Sequence, residues 1–377
     1  MTHVAFFAPL LTTGGTQRHL QQVLSLLDPA RWRMSVFTLR PGGEVEAALA
    51  AAGVEVHSLD VGGRLTSPRA CFAILRAARL LRSMRVDIVH GYQWRPALVG
   101  AIVGRLAGVP LVLAGKRSLT GDDRTARRAW RAIGRRVDTI VANADALRVE
   151  SESQGVRAQW TIIPSGVDVT RFRPAATRDA KAALGLDTTR PVVGTVGRLE
   201  PRKGHDLLLR ALGDLAELAP GARAQLLIVG DGPLRPVLER QAADLGVLDR
   251  VRFTGTLDDV RPALAAMDVF VLPSQAEGMS NALLEALAAA RPVVATDVGG
   301  TREVCDGRET GLLVPANDSA GVARAVASLL ADGERAAELG RAGRALVEAR
   351  FGAQAMVDRL AACYTTRLAA AARREAA

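Results

Sequence analysis

Short apolar runs alternate with amphipathic stretches along the whole chain. In the first half, His3 to Leu10, Met34 to Leu39, Val54 to Leu59, Asp87 to His90, Pro110 to Ala114 and Asp138 to Ala142 have the length and apolar content of buried strands. Gln17 to Leu27, Glu44 to Ala52, Ala70 to Met84 and Pro96 to Ala107 have the period of helices. The second half repeats the alternation. Strands are expected at Val192 to Val196, Ala224 to Val229, Val251 to Thr254, Val269 to Leu272, Pro292 to Thr296 and Leu312 to Val314. Helices are expected at Asp206 to Ala219, at Pro233 to Leu245, from Ser319 onward, and at Ala353 to Ala372. Alternation of this kind predicts an α/β fold, with parallel sheets covered by helices on both faces. Between the halves, Ile162 to Asp168 leads into a polar, proline-containing stretch that ends at Pro191 and holds one short helix, Asp179 to Leu184. That stretch is the linker candidate.

Composition changes this picture little. A chain of 377 residues, 49% apolar, suits two domains of about 150 to 200 residues each. We place them at residues 1–168 and 169–352, followed by a terminal helix at 353–377. No apolar run approaches the ~18 residues of a membrane span, and the N-terminus lacks a basic segment before its first apolar run, which argues against a secretory signal. Three cysteines, at 71, 305 and 363, have no metal-ligand spacing and fit a reducing cytoplasm. The net charge is +10, but all but three of the 49 basic residues are arginine in an alanine-rich chain, so the excess is weak ground for a nucleic-acid partner and none is expected. Clustering says more. Lys116 to Arg136 contains eight basic residues, of which Arg124, Arg127, Arg128, Arg131 and Arg135 recur at three- and four-residue steps. On a helix they form one broad face, suited to an anionic membrane surface or simply to solvent.

Candidate chemistry concentrates after the strands. Pro273 to Glu285, PSQAEGMSNALLE, follows the run Val269 to Leu272 and sets Glu277 and Glu285 eight residues apart, with Ser280 as a natural N-cap between them. A glycine-containing loop that enters a helix at the carboxyl end of a strand suits an anion, while carboxylates beside it accept hydrogen bonds from sugar hydroxyls. A nucleotide sugar needs both. Val192 to Val196 runs into GRLEPRKG, where Arg198 can fork two phosphate oxygens and Lys203 can act as a point charge on a departing diphosphate. Gly14 and Gly15, in LLTTGGTQRHL, let backbone approach a ligand ahead of a helix. GDGP at Gly230 to Pro233 reads mainly as a structural turn.

With these segments the sequence resembles the retaining glycosyltransferases of the GT-B fold, specifically glycosyltransferase family 4. The resemblance implies two Rossmann-like domains facing across a deep cleft, acceptor domain first and donor domain second, with the terminal helix returning to the first domain. It implies that Glu285 holds the ribose hydroxyls, that Glu277 positions the transferred sugar, that Gly278, Met279, Ser280 and Asn281 offer backbone N–H groups, that Arg198 and Lys203 attend the donor phosphates, and that Gly14 and Gly15 face the donor phosphates or the acceptor. Retention is then attributed to front-face attack, with no cofactor and no metal. One departure stands out: many relatives carry a histidine in the loop after the strand equivalent to Pro110 to Ala114, where this chain has Gly115, Lys116, Arg117 and Ser118. Lys116 or Arg117 is a candidate sugar or phosphate contact there, and His90 the nearest alternative. The expected activity is transfer from a nucleotide diphosphate sugar to a lipid-linked or surface-polysaccharide precursor, in the cytoplasm or on the inner face of the cell membrane. A nucleotide-sugar epimerase and a non-catalytic partner subunit on the same scaffold are the alternatives.

Overall fold

The computed structural model describes residues 1–10, 14–43, 46, 49, 51, 53–61, 63, 65–121, 123–218, 221 and 223–375, and the chain divides into two compact units. Unit 1 comprises Met1–Ser165 and Gln354–Ala377, and unit 2 comprises Gly166–Ala353. The helix expected at Glu44 to Ala52 lies largely outside the described residues.

Unit 1 is built on seven parallel strands: β1 (Thr2–Ala8), β2 (Trp32–Thr38), β3 (Glu55–Ser58), β4 (Ile88–Tyr92), β5 (Leu111–Lys116), β6 (Thr139–Ala142) and β7 (Trp160–Ile162), in the order β3-β2-β1-β4-β5-β6-β7. The helices are α1 (Gly15–Leu26), α2 (Pro68–Ser83), α3 (Trp94–Ala107), α4 (Arg124–Gly134) and α5 (Asp145–Ser153). Successive residues of β1 point to opposite faces. Val4 and Phe6 join Leu20, Val23 and Trp32 on one side, and Ala5 and Phe7 join Ile74, Leu81 and Val99 on the other. On that second face Gly100 and Gly104 let α3 lie directly on the sheet, because a Cβ at either would come within 3.1 Å of Phe7 or 3.0 Å of Val112.

Unit 2 has six parallel strands: β8 (Val192–Val196), β9 (Gln225–Val229), β10 (Val251–Gly255), β11 (Val269–Leu272), β12 (Val293–Thr296) and β13 (Leu312–Val314), in the order β10-β9-β8-β11-β12-β13. Its helices are α6 (Thr177–Ala183), α7 (His205–Leu218), α8 (Arg235–Asp244), α9 (Arg261–Ala266), α10 (Asn281–Ala288), α11 (Ser319–Ala331) and α12 (Gly333–Arg350). Leu208, Leu212 and Leu215 of α7 and Val322 and Val326 of α11 pack on Val193, Leu226, Val269 and Val294 of the sheet. The last helix, α13 (Ala353–Glu375), follows unit 2 in sequence but buries Met356, Val357, Leu360 and Tyr364 in the core of unit 1.

In each sheet the order reverses once, between β1 and β4 and between β8 and β11. In an open α/β sheet the carboxyl edge at such a reversal is where ligands bind. Elements α5, β7 and α9 were not signalled by periodicity; β7 is three half-buried residues, and α5 buries only Leu147 and Ser151.

Candidate functional site

In unit 2 the reversal brings together the loops after β8 and β11. The first is Gly197 to Gly204, closed by a single helical turn over Pro201–Lys203. Gly204 has φ +68, and a Cβ there would overlap the carbonyl oxygen of Pro273, so the two loops meet backbone to backbone. Gln275 N–H donates to the Arg202 carbonyl at 2.8 Å, a second tie between them. Lys203 is thereby held over Glu277, its Nζ 2.6 Å from Oε1, while the Ser274 hydroxyl donates to the same oxygen at 2.8 Å. Glu277 is buried and Lys203 partly exposed, so the pair lies at the rim of the fold with its charge compensated.

Glu285 is buried on α10, and Ser280 caps that helix by accepting from the Leu283 N–H. Gly278 and Met279 are buried and Asn281 is partly exposed. The Gly278 carbonyl accepts from the Gly300 N–H at 3.0 Å, which fixes the loop against the segment after β12. Arg198 differs: its side chain is 67% exposed, and its Nε lies 2.9 Å from Glu200, which also pairs with Arg202. The guanidinium therefore projects from the β8 loop rather than joining the Lys203–Glu277 pair. Gly230 and Gly232 of the GDGP turn have no room for a Cβ against Gly197 and Leu199, and the Leu199 N–H donates to the Asp231 carbonyl at 3.0 Å. That turn sets the conformation of the Arg198 loop.

In unit 1, Gly14 is the extended N-cap of α1 and Gly15 its first residue. Two of the three candidates there differ from expectation. Lys116 is not an exposed loop cation: it is fully buried, donates to Thr120 Oγ1 at 2.6 Å, pairs with Glu150 at 3.3 Å and lies over the Trp130 ring. Burial lowers its pKa and Glu150 offsets part of that effect. His90 is not a free imidazole after a strand but part of β4, fully buried, with Nδ1 2.7 Å from the Tyr364 hydroxyl. Burial first, and Arg117 second, push its pKa down to about 3, so it is neutral at physiological pH and supplies no positive charge. Arg117, half-buried, donates to Ser165 Oγ at 2.9 Å, and burial lowers its pKa to about 10. It remains the cation of this loop, lining with His19, His90, Tyr92 and Asn143 a cavity of about 10 Å³, the room a single water needs.

Two residues without any motif signal belong with these strand ends. Gln93, just after β4, is a non-glycine residue at φ 64 whose amide donates to Thr16 Oγ1 at 3.3 Å; backbone strain of this kind clusters at ligand sites. His205, the first residue of α7, is buried beside Lys203. A cavity of about 330 Å³ lined by Arg190, Leu215, Arg223 and Arg250 sits instead at the amino ends of β8, β9 and β10, at the opposite edge of the sheet from Lys203 and Glu277.

Two doubly wound parallel sheets, each with one strand-order reversal, make this a GT-B fold. Residues 13–171 match the family described as Glycosyltransferase Family 4, and residues 190–332 match Glycosyl transferases group 1. The chain is 33% identical over 367 residues, 92% of its length and 93% of the relative's, to a GDP-mannose-dependent monoacylated alpha-(1-6)-phosphatidylinositol monomannoside mannosyltransferase of Corynebacterium glutamicum. It is 32% identical to a D-inositol 3-phosphate glycosyltransferase of Thermobispora bispora, over 88% of this chain and 82% of that one. Among solved structures, Anabaena HepE in complex with UDP and glucose superposes with a TM-score of 0.86 over 97% of this chain and all of that one, at 22% identity. Sucrose-phosphate synthase from Thermosynechococcus elongatus gives 0.81 over 98% of this chain and all of that one, at 26% identity. The chain belongs to glycosyltransferase family 4.

Proposed function

We propose that this protein is a retaining transferase that moves a sugar, most simply mannose from GDP-mannose, to a lipid-linked or surface-polysaccharide precursor. The observation that carries the reading is the Lys203–Glu277–Ser274 cluster, with Glu285 eight residues after Glu277, at the reversal between β8 and β11. Glu277 positions the transferred sugar and Glu285 the ribose, while Lys203 and the projecting Arg198 stabilise the diphosphate as it departs. Glu277 is already engaged by two donors, which suits a positioning role better than attack on the anomeric carbon. In front-face transfer the bond from the anomeric carbon to the phosphate oxygen breaks and the bond to the acceptor oxygen forms on the same face. The acceptor proton passes to the leaving phosphate oxygen. Two fixed cations carry the developing charge, so we propose that no metal takes part, and transfer should persist in EDTA.

The donor is supported by the name of the Corynebacterium relative, and a phosphoinositide-type acceptor by the same name. Labelled GDP-mannose and UDP-sugars incubated with membrane lipid extract test the reading: label should enter a lipid, with the anomeric configuration of the donor kept. Replacing Glu277→Gln and Arg198→Ala together should cut transfer at least ~100-fold, equivalent to about 2.7 kcal/mol of transition-state stabilisation. Undiminished transfer would overturn the assignment. The epimerase and non-catalytic alternatives are not favoured, since the donor cluster is intact.

No helix among the described residues is long and apolar enough to cross a membrane. We propose peripheral attachment through α4 and the residue that follows it, where Arg124, Arg128, Arg131 and Arg135 are exposed. Arg127 and Arg131 are tied by Nε to the carbonyls of Gly121 and Gln154, so charge reversal at Arg124, Arg128 and Arg135 is the cleaner change. It should abolish co-sedimentation with anionic vesicles at low salt; unchanged binding refutes this role for α4.

A further inference from the structure

We propose that His205 is a donor-binding residue, one of whose ring nitrogens hydrogen-bonds a phosphate oxygen of a nucleoside diphosphate held beside Lys203. The inference rests on the reading of the Lys203–Glu277 cluster given above. It begins with the chain geometry. Gly204 presses its backbone on Pro273, and this contact delivers the next residue, His205, to the gap between the ends of β8 and β11. There the imidazole is 2% exposed, and neither Nδ1 nor Nε2 has a hydrogen-bond partner. Leaving a buried polar group without a hydrogen bond is costly, and native interiors seldom tolerate it without a purpose.

The ring faces the place where a donor would lie. Its Cε1–Nε2 edge is 3.9 Å from where a Cβ on Gly197 would stand, and the Lys203 Cδ is at the same distance, so imidazole and lysine stem meet on one side of Gly197. The neighbouring carboxylates are occupied: Glu277 by Lys203 and Ser274, Asp206 by Arg210 at 2.9 Å. Burial and the adjacent Lys203 lower the histidine's pKa to about 4. It is therefore neutral at physiological pH and keeps one N–H to donate. The positive end of the 14-residue helix α7 opens at this same residue, which selects an anionic oxygen over a neutral one. A residue needed only for packing would fill the space more favourably as a hydrocarbon.

The test is titration calorimetry of the full chain with GDP and UDP, alongside thermal unfolding without nucleotide. His205→Phe keeps the volume and removes both ring nitrogens. It should weaken binding of the preferred nucleotide at least tenfold while the unfolding temperature stays level or rises, and His205→Gln should restore part of the affinity. Wild-type affinity in His205→Phe overturns the inference and leaves the cluster reading standing. A wild-type chain that binds neither nucleotide overturns that reading and the inference with it. If the phenylalanine variant fails to fold, His205→Ala is judged by the same tenfold criterion.

Discussion

Lys203 and Glu277 lie 74 positions apart in sequence and 2.6 Å apart in space. Each was legible alone, Lys203 as one of three lysines in an arginine-rich chain and Glu277 as the first carboxylate of PSQAEGMSNALLE. Their pairing was not legible, because spacing along the chain does not say which strand ends become neighbours. Replacing Lys203→Met leaves Glu277 buried without its cation, with the Ser274 hydroxyl still on Oε1; we expect unit 2 to lose about 2 kcal/mol in urea unfolding, and an unchanged midpoint would show that the pair does not stabilise the loop. Lys116 shows the limit from the other side. As a residue type it reads as a loop cation, yet it is buried on Glu150 and Trp130, and Glu150 belongs to α5, a helix whose polar sequence gave no periodic signal.

At the scale of elements, the buried strands were the most legible parts. Val192–Val196 and Val269–Leu272 occupy the residues their apolar runs indicated, since a strand in the interior of a sheet covered on both faces is largely apolar. Edge and surface elements lack that constraint, which is why β7 and α5 passed unnoticed. The junction at Gly204 was visible as a motif glycine, but its reason is the Pro273 carbonyl. Gly204→Ala requires a left-handed alanine and displaces that carbonyl, so the loops after β8 and β11 must separate. We expect a loss of about 3 kcal/mol or more and a fall in nucleotide affinity; a variant with native stability and affinity would mean that the loops are not interdependent.

At the scale of the whole molecule, buried histidines divide unequally: His3, His19 and His90 lie in unit 1, His205 in unit 2. Burial lowers the pKa of all four, so the unfolded chain takes up protons near pH 6.5 while the folded chain does not until about 4 at His205 and about 3 at His90. Stability is thus insensitive to these groups above pH 7 and falls as the pH drops through 6.5, by up to about 1.4 kcal/mol per pH unit for each histidine. Unit 1 should lose more. All four tryptophans, Trp32, Trp94, Trp130 and Trp160, belong to it, so tryptophan fluorescence follows its unfolding alone. Between pH 7 and 5 the urea midpoint by fluorescence should fall more than that of the remaining circular dichroism change; parallel falls would contradict the assignment.

The helix α13 closes the core of unit 1 with residues from the far end of the chain, Tyr364 meeting His90 across 274 positions. The 166–353 segment is synthesised before Met356, Val357, Leu360 and Tyr364, so unit 2 is complete in sequence while unit 1 still lacks four residues of its core. The half of the protein made first is therefore finished last. Until that helix docks, the folding chain carries an N-terminal sheet with one apolar face covered by α1 but not by α13, a state open to chaperones and proteases.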